Sequence, residues 1–233
     1  MASPGQQIFT GFTKETFAFL QGLAENNNKP WFQEHRDDYD AHLLGPFQQL
    51  VAAMSGAMLT IDSRFETRPA VDKTISRIYR DIRFSKDKSP YRANMWLSFK
   101  RPKKEWKGAP AYFFELSLDG YRYGMGFYDA GRSNMDRLRE LMAADVPGFQ
   151  RLIATLDGEH PFEVKGDLYK RVLRPDLPED VQAWYQRKNL YLMVEPAMDQ
   201  RLFSPQLADH LLAGFEQLAP IYHFLWKAVE SVK

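Results

Sequence analysis

The feature that most constrains this chain is a double change of hydrophobic period. Up to about residue 60 the apolar side chains recur every three or four positions. From about Thr74 to Tyr128 they alternate, and beyond Gly131 the helical spacing returns. A period of 3.6 buries one stripe of a helix and a period of two buries one face of a strand, so the two cannot be exchanged. The order helix, sheet, helix predicts an α+β fold in a single domain over 1–233, helical over 13–60, sheet over 74–128 and mixed helical over 132–231.

The alternating region divides into four expected strands, 74–84, 92–100, 111–118 and 121–128. Asp119-Gly120 is a two-residue hairpin signal, Lys86–Pro90 a turn, and Arg101–Pro110 a basic loop. Connections this short imply a four-stranded antiparallel meander. Helices from both termini are expected on the face carrying Ile78, Leu97, Phe114 and Phe127. At the start, Phe12 and Phe17 make a hydrophobic staple around a helix entry at Thr13. Asn26-Asn27-Asn28 breaks that helix and Pro30 opens the next. Gly45-Pro46 is expected to interrupt the helical stripe and Pro220 to kink or split the last helix. Short strands are expected at 161–165 and 190–194, flanking a helix over Leu177–Lys188.

The opposite sheet face gathers Arg77, Asp81, Arg83, Asn94, Trp96, Ser98, Glu115 and Tyr128 beside Gly124 and Gly126. Bare glycines let a ligand approach the backbone, so this face reads as a polar and aromatic floor for binding. Arg80 falls on the apolar side. Either it pairs with Asp37, Asp38 or Asp40, or a bulge turns it onto the floor.

Charge sharpens this picture. From Lys73 to Lys107 there are 12 Lys/Arg against 3 Asp/Glu, a local +9, on a 233-residue chain of net +1. Such segregation points to a negatively charged partner. There is no Cys, which rules out thiol chemistry and fits a reducing, cytoplasmic compartment. The N-terminus lacks a signal-peptide pattern, and no apolar run reaches the roughly 18 residues that span a bilayer. Phosphate-loop, dinucleotide, nucleophile-elbow and zinc-helix motifs are missing. The scattered histidines, His35 and His42 included, supply no metal set, and neither a metal nor a cofactor is implied.

The segment Arg77-x-x-Arg80-Asp81-x-Arg83-Phe84-Ser85-Lys86-Asp87-Lys88-Ser89-Pro90-Tyr91 resembles the signature of a conserved-hypothetical family of unknown function. The family is widespread in bacteria, with fungal members. The resemblance extends to Asn27-x-x-x-Trp31-Phe32, Gly124-x-Gly126-x-Tyr128 and Leu218-x-Pro220-x-Tyr222, and more loosely to Lys170-Arg171 and Arg187-Lys188. It implies a bacterial chain of this length and brings no activity with it.

Three function classes follow. The first is a site for a phosphate-bearing small molecule, using Arg77, Arg80, Asp81, Arg83, Lys86, Lys88, Tyr91, Trp96, Gly124, Gly126 and Tyr128, with Lys170, Arg171 and Lys188 added by the resemblance. The second is single-stranded nucleic-acid binding through the basic 77–107 segment, with Trp106 stacking a base. The third is an enzyme with Asp81 or Glu115 as acid/base, Tyr91 or Tyr128 as proton donor, and arginines for a developing anion. A signature that only holds the fold together is the remaining alternative. The arginine-and-glycine floor ranks the small anion first.

Overall fold

The computed structural model describes residues 8–83, 86–102, 108–127 and 130–230. The elements run α1 (Lys14–Glu25), α2 (Lys29–Glu34), α3 (Arg36–Asp38), a π-helix (Tyr39–Leu44), α4 (Gly45–Ile61), β1 (Asn94–Phe99), β2 (Pro110–Ser117), β3 (Gly120–Phe127), α5 (Arg132–Ala144), α6 (Val146–Ile153), β4 (Glu163–Lys165), α7 (Glu179–Tyr185), β5 (Tyr191–Val194) and α8 (Gln206–Glu230). The fold is α+β, with one sheet in the order β1-β2-β3-β5-β4.

That sheet has five strands rather than the expected four: the expected first strand is missing from it, and two later strands join at the other edge. The expected first strand, 74–84, is reduced to isolated bridges, Ile75 with Leu97 and Tyr79 with Tyr91. Ser76 Oγ accepts from the Trp96 amide in place of a backbone carbonyl. Pro90, which lacks an N–H, can only accept, from the Arg80 amide at 2.9 Å. A ladder interrupted at both places cannot continue as a strand. At the other end β5 pairs antiparallel with β3, placing Tyr123 opposite Val194 and Gly126 opposite Tyr191, and β4 pairs antiparallel with β5. These are the two short strands expected near 161–165 and 190–194.

The hairpin between β2 and β3 turns at Leu118-Asp119, one residue earlier than the Asp-Gly signal suggests. Gly120 opens β3 with φ +134°. Alternation on β1 and β2 follows the sequence reading: Met95, Leu97 and Phe99, then Tyr112, Phe114 and Leu116, are buried, while their neighbours are half-exposed.

The chain forms two compact units, Met1–Phe99 with Phe114–Arg122 and Glu195–Leu212, and Lys100–Phe113 with Tyr123–Val194 and Ala213–Lys233. In the first, Phe12, Phe47 and Phe114 meet with ring centroids 5.2–6.0 Å apart, joining the chain's start, α4 and β2. Gly45 and Pro46 do not interrupt the helical run there. The π-helix hands directly to α4, its closing amide of Gly45 bonding back to the Asp40 carbonyl five residues earlier. The wider turn absorbs the place where Pro46 has no N–H to donate. In the second unit, Tyr112 and Tyr123 pack on Phe215, and the Tyr123 hydroxyl lies 2.7 Å from His160 Nδ1. The last helix runs unbroken through Pro220. Among the described residues no helix is long and apolar enough to cross a membrane.

Two glycine substitutions test this packing in opposite directions. A Cβ on Gly126 would sit 2.4 Å from Tyr191 Cα, while one on Gly56, inside α4, would meet nothing within 4 Å. Gly126→Ala should therefore lower unfolding stability by about 3 kcal/mol. Gly56→Ala should raise it by about 0.5–1 kcal/mol through helix propensity. Urea unfolding of both variants checks the pair, and equal effects would contradict the packing described.

Candidate functional site

The signature segment is anchored by an amide side chain 64 residues away in sequence. Asn27 Nδ2 donates to the Tyr91 carbonyl at 3.1 Å, and the Tyr91 amide donates to Asn27 Oδ1 at 3.0 Å. Asn28, next in the chain, caps α2 by accepting from the Trp31 amide at 3.0 Å. The break at Asn26-Asn27-Asn28 thus starts one helix and clasps the signature. Phe32 of α2 stacks on the Tyr91 ring with centroids 4.3 Å apart, and Tyr79 lies 5.1 Å from Tyr91. Tyr79 remains 53% exposed. The Arg36 guanidinium sits over the rings of Tyr39 and Phe32 and pairs with Asp40. Burial pushes the Tyr39 phenol up to about 12 and also raises that of Tyr91. A phenol shifted upward keeps its proton through the physiological range, so Tyr91 is poorly suited to donate it.

Arg80 stands beside this clasp. Its Nη2 donates to the Tyr91 carbonyl at 3.4 Å and pairs with Asp87 at 3.1 Å, with side chains 29% and 55% exposed. The partner is therefore Asp87 within the signature, not Asp37, Asp38 or Asp40, the last of which is taken by Arg36. Arg80 Nε is buried and has no hydrogen-bond partner among the described residues.

The other predicted cations are held by separate neighbours. Arg77 Nε donates to Asp72 at 2.5 Å, and Asp72 itself adopts φ 66°, a left-handed conformation that Asp tolerates better than most residues. Arg83 grips Asp81 with two bonds at 2.9 and 2.7 Å, and Lys88 Nζ donates to the Ile82 carbonyl at 2.7 Å. Lys86 is exposed. Arg92 lies 4.7 Å above the Trp96 ring and donates to the Arg77 carbonyl at 3.0 Å. Phe84, Ser85, the loop residues Lys103, Lys104 and Trp106, and Tyr128 lie outside the described residues.

The polar sheet face is real but internally satisfied. Asn94 donates to Glu115 Oε1 at 2.6 Å, Arg122 grips Glu115 Oε2 at 2.9 and 2.7 Å, and Glu195 lies 3.6 Å from Arg122. With both oxygens engaged, Glu115 is a fixed acceptor rather than a waiting base. Gly124 and Gly126 are not open floor: the space beside them is filled by the backbone of β5 at Leu192 and Tyr191. Their bareness admits the protein's own strand. Lys170 and Arg171 belong to the second unit, on the loop before α7, and Lys188 follows α7 on a segment bridged to that loop at Leu168 and Arg187. Sequence reasoning left Asn27, Arg36, Asp87 and Arg92 out of the site; the triple-Asn break was the visible trace of the first. Among the described residues no group of three or more His, Asp or Glu side chains is placed to hold a metal.

Two measurements probe this geometry. Asn27→Ala removes both bonds to Tyr91 and leaves its buried amide unpaired, which should cost about 2–3 kcal/mol in urea unfolding. No loss would mean the clasp is incidental. The Arg83 hydrogen bonds hold the Asp81 carboxyl down from 3.8 to about 2. Because the folded value is the lower one, this pairing supports the fold above pH 3.8 and is lost as pH falls toward 2. NMR titration should give Asp81 a midpoint near 2, moving toward 3.8 in Arg83→Ala. A midpoint near 3.8 in the unmodified protein would contradict the pairing.

Comparison with known proteins agrees with the signature. No curated protein matches the chain. The sequence profile of the conserved hypothetical protein family DUF2461 matches residues 15–224, a span that takes in the Asn27 clasp, the Arg77–Tyr91 segment, the whole sheet and most of α8. By that match the chain is a member of the conserved hypothetical protein family DUF2461.

Proposed function

We propose that the signature segment is a binding element for a phosphate-bearing small molecule, centred on Arg80. The observation that carries this reading is the buried Arg80 Nε, a donor with no acceptor among the described residues. Such a donor costs roughly 1–3 kcal/mol when left unmade, and a phosphate oxygen would recover it. The present partner, Asp87, is more than half exposed, so an anion that bonds to Nε and Nη2 together can displace it. Arg77, Arg83, Lys86, Lys88 and Arg92 give the same segment a net positive charge. The pairs Arg77–Asp72 and Arg83–Asp81 are exposed, and exposed pairs are held weakly enough to rearrange around a ligand. The environments of Asp81, Glu115 and Tyr91 favour binding over acid/base catalysis, since each is held in a single protonation or hydrogen-bonding role.

Thermal denaturation with inorganic phosphate, pyrophosphate, nucleotides and sugar phosphates, against chloride at matched ionic strength, tests the proposal. Saturation at 100 times Kd is worth about 2.7 kcal/mol, a readily measured rise in Tm. Arg80→Ala should abolish the rise. Arg80→Lys keeps the charge but removes the guanidinium geometry, and should weaken binding about tenfold. Arg122→Ala, on the sheet network, should leave it intact. No anion-specific shift in the unmodified protein would refute the reading, leaving the signature as an architectural element.

A further inference from the structure

The second unit carries an apolar and basic loop that is exposed yet firmly built. Leu168, Val172 and Leu173 are 52%, 50% and 38% exposed, and Lys170, Arg171 and Lys188 are exposed around them. The backbone that carries them is fixed by side-chain hydrogen bonds. Gln186 of the α7 C-terminus donates to the Tyr169 carbonyl at 2.9 Å and the Arg171 carbonyl at 2.5 Å, and accepts from the Leu173 amide at 3.0 Å. Its own carbonyl accepts from the Tyr169 amide at 3.0 Å, and Gln182 holds the Arg174 carbonyl at 2.6 Å. The Tyr169 ring has the buried Arg139 guanidinium 5.1 Å from its centroid and the Lys188 ammonium at 5.6 Å. Arg139 in turn is fixed by the Tyr185 and Arg187 carbonyls. A display ordered in advance loses little entropy on binding.

We infer that residues 168–173 with Lys188 form a docking surface for an acidic peptide segment of another protein that also carries apolar side chains. This inference is independent of the anion reading, which concerns the first unit. Charge complementarity selects the partner. Nearby Arg174 and Lys165 are already neutralised by Asp176 and Glu163, whereas Lys170, Arg171 and Lys188 have no carboxylate partner among the described residues. The three aliphatic side chains between them add the apolar half of the match. An anionic bilayer fits less well: it is a plane wider than the strip, and the flanking sequence carries the exposed carboxylates of Asp167, Asp176, Glu179 and Asp180. A narrow peptide contacts the strip alone. A second copy meeting this patch about a two-fold axis would set cation against cation.

The test uses the full chain on an array of 12-residue synthetic peptides of varied Asp/Glu, Leu/Val/Phe, Ser and Lys content, followed by anisotropy titration of the best binders. Acidic peptides with apolar positions should be enriched, and their binding should weaken as salt rises. Lys170→Glu with Arg171→Glu, and separately Val172→Ser with Leu173→Ser, should each weaken binding at least about tenfold, with Tm unchanged. Enrichment of basic or uncharged peptides, absence of saturable binding, or an affinity in either variant equal to that of the unmodified protein would overturn the inference. Sedimentation with phosphatidylserine vesicles, lost in the same variants, would overturn it in favour of a lipid surface.

Discussion

One amide side chain governs what the signature of this protein can do. Asn27 satisfies both backbone groups of Tyr91, and the neighbouring residue caps the helix that supplies Phe32 to the Tyr91 ring. A segment rich in like charges repels itself and has little apolar surface with which to fold. Here it is tied at Tyr91, at Ile75 through the bridge to Leu97, and at Ile78, whose carbonyl takes the Arg92 amide. Each tie lies at an apolar or backbone position, so the cations stay at the surface while the chain beneath them is fixed.

The electrostatics follow from that anchoring. Because the guanidiniums remain near water, their carboxylate partners are local: Asp81 two residues from Arg83, Asp72 five from Arg77, Asp87 seven from Arg80. Such pairs organise side chains but contribute little to stability when exposed. Arg122 differs, being drawn into a network on the sheet in which Glu115 also holds Asn94 and Arg122 also faces Glu195. The protein thus separates a labile charged segment from a settled one, and the proposed anion site falls in the labile part.

Much of the fold was legible in the sequence because burial on one side imposes alternation. Leu97, Phe114 and Phe127 are buried as that alternation requires, and β1 to β3 fall within two residues of the expected bounds. The failures share a cause. Periodicity reports which face is buried but not which backbone groups are paired, so the broken ladder at Ser76 and Pro90 read as a strand. Gly124 and Gly126 signalled a close approach correctly, but the approaching object was β5, about 65 residues further along the chain. Arg80 was recognised as anomalous, and the choice among aspartates depended on a turn that no pattern encodes. The clasp by Asn27 spans a separation over which local rules carry no information.

The π-helix at Tyr39–Leu44 sets the phase between two commitments of the first unit. Upstream, α2 must face Phe32 toward Tyr91; downstream, α4 must face Phe47 toward Phe114. A π turn inserts one extra residue, and one residue turns a helix by about 100°. Deleting Asp40 or Ala41, the exposed residues of this turn, would keep every buried side chain, Tyr39 and Leu43 included. It would nonetheless leave one of the two faces pointing away from its partner. The helical arm of this protein is therefore intolerant of length change even at exposed positions whose side chains take no part in the core.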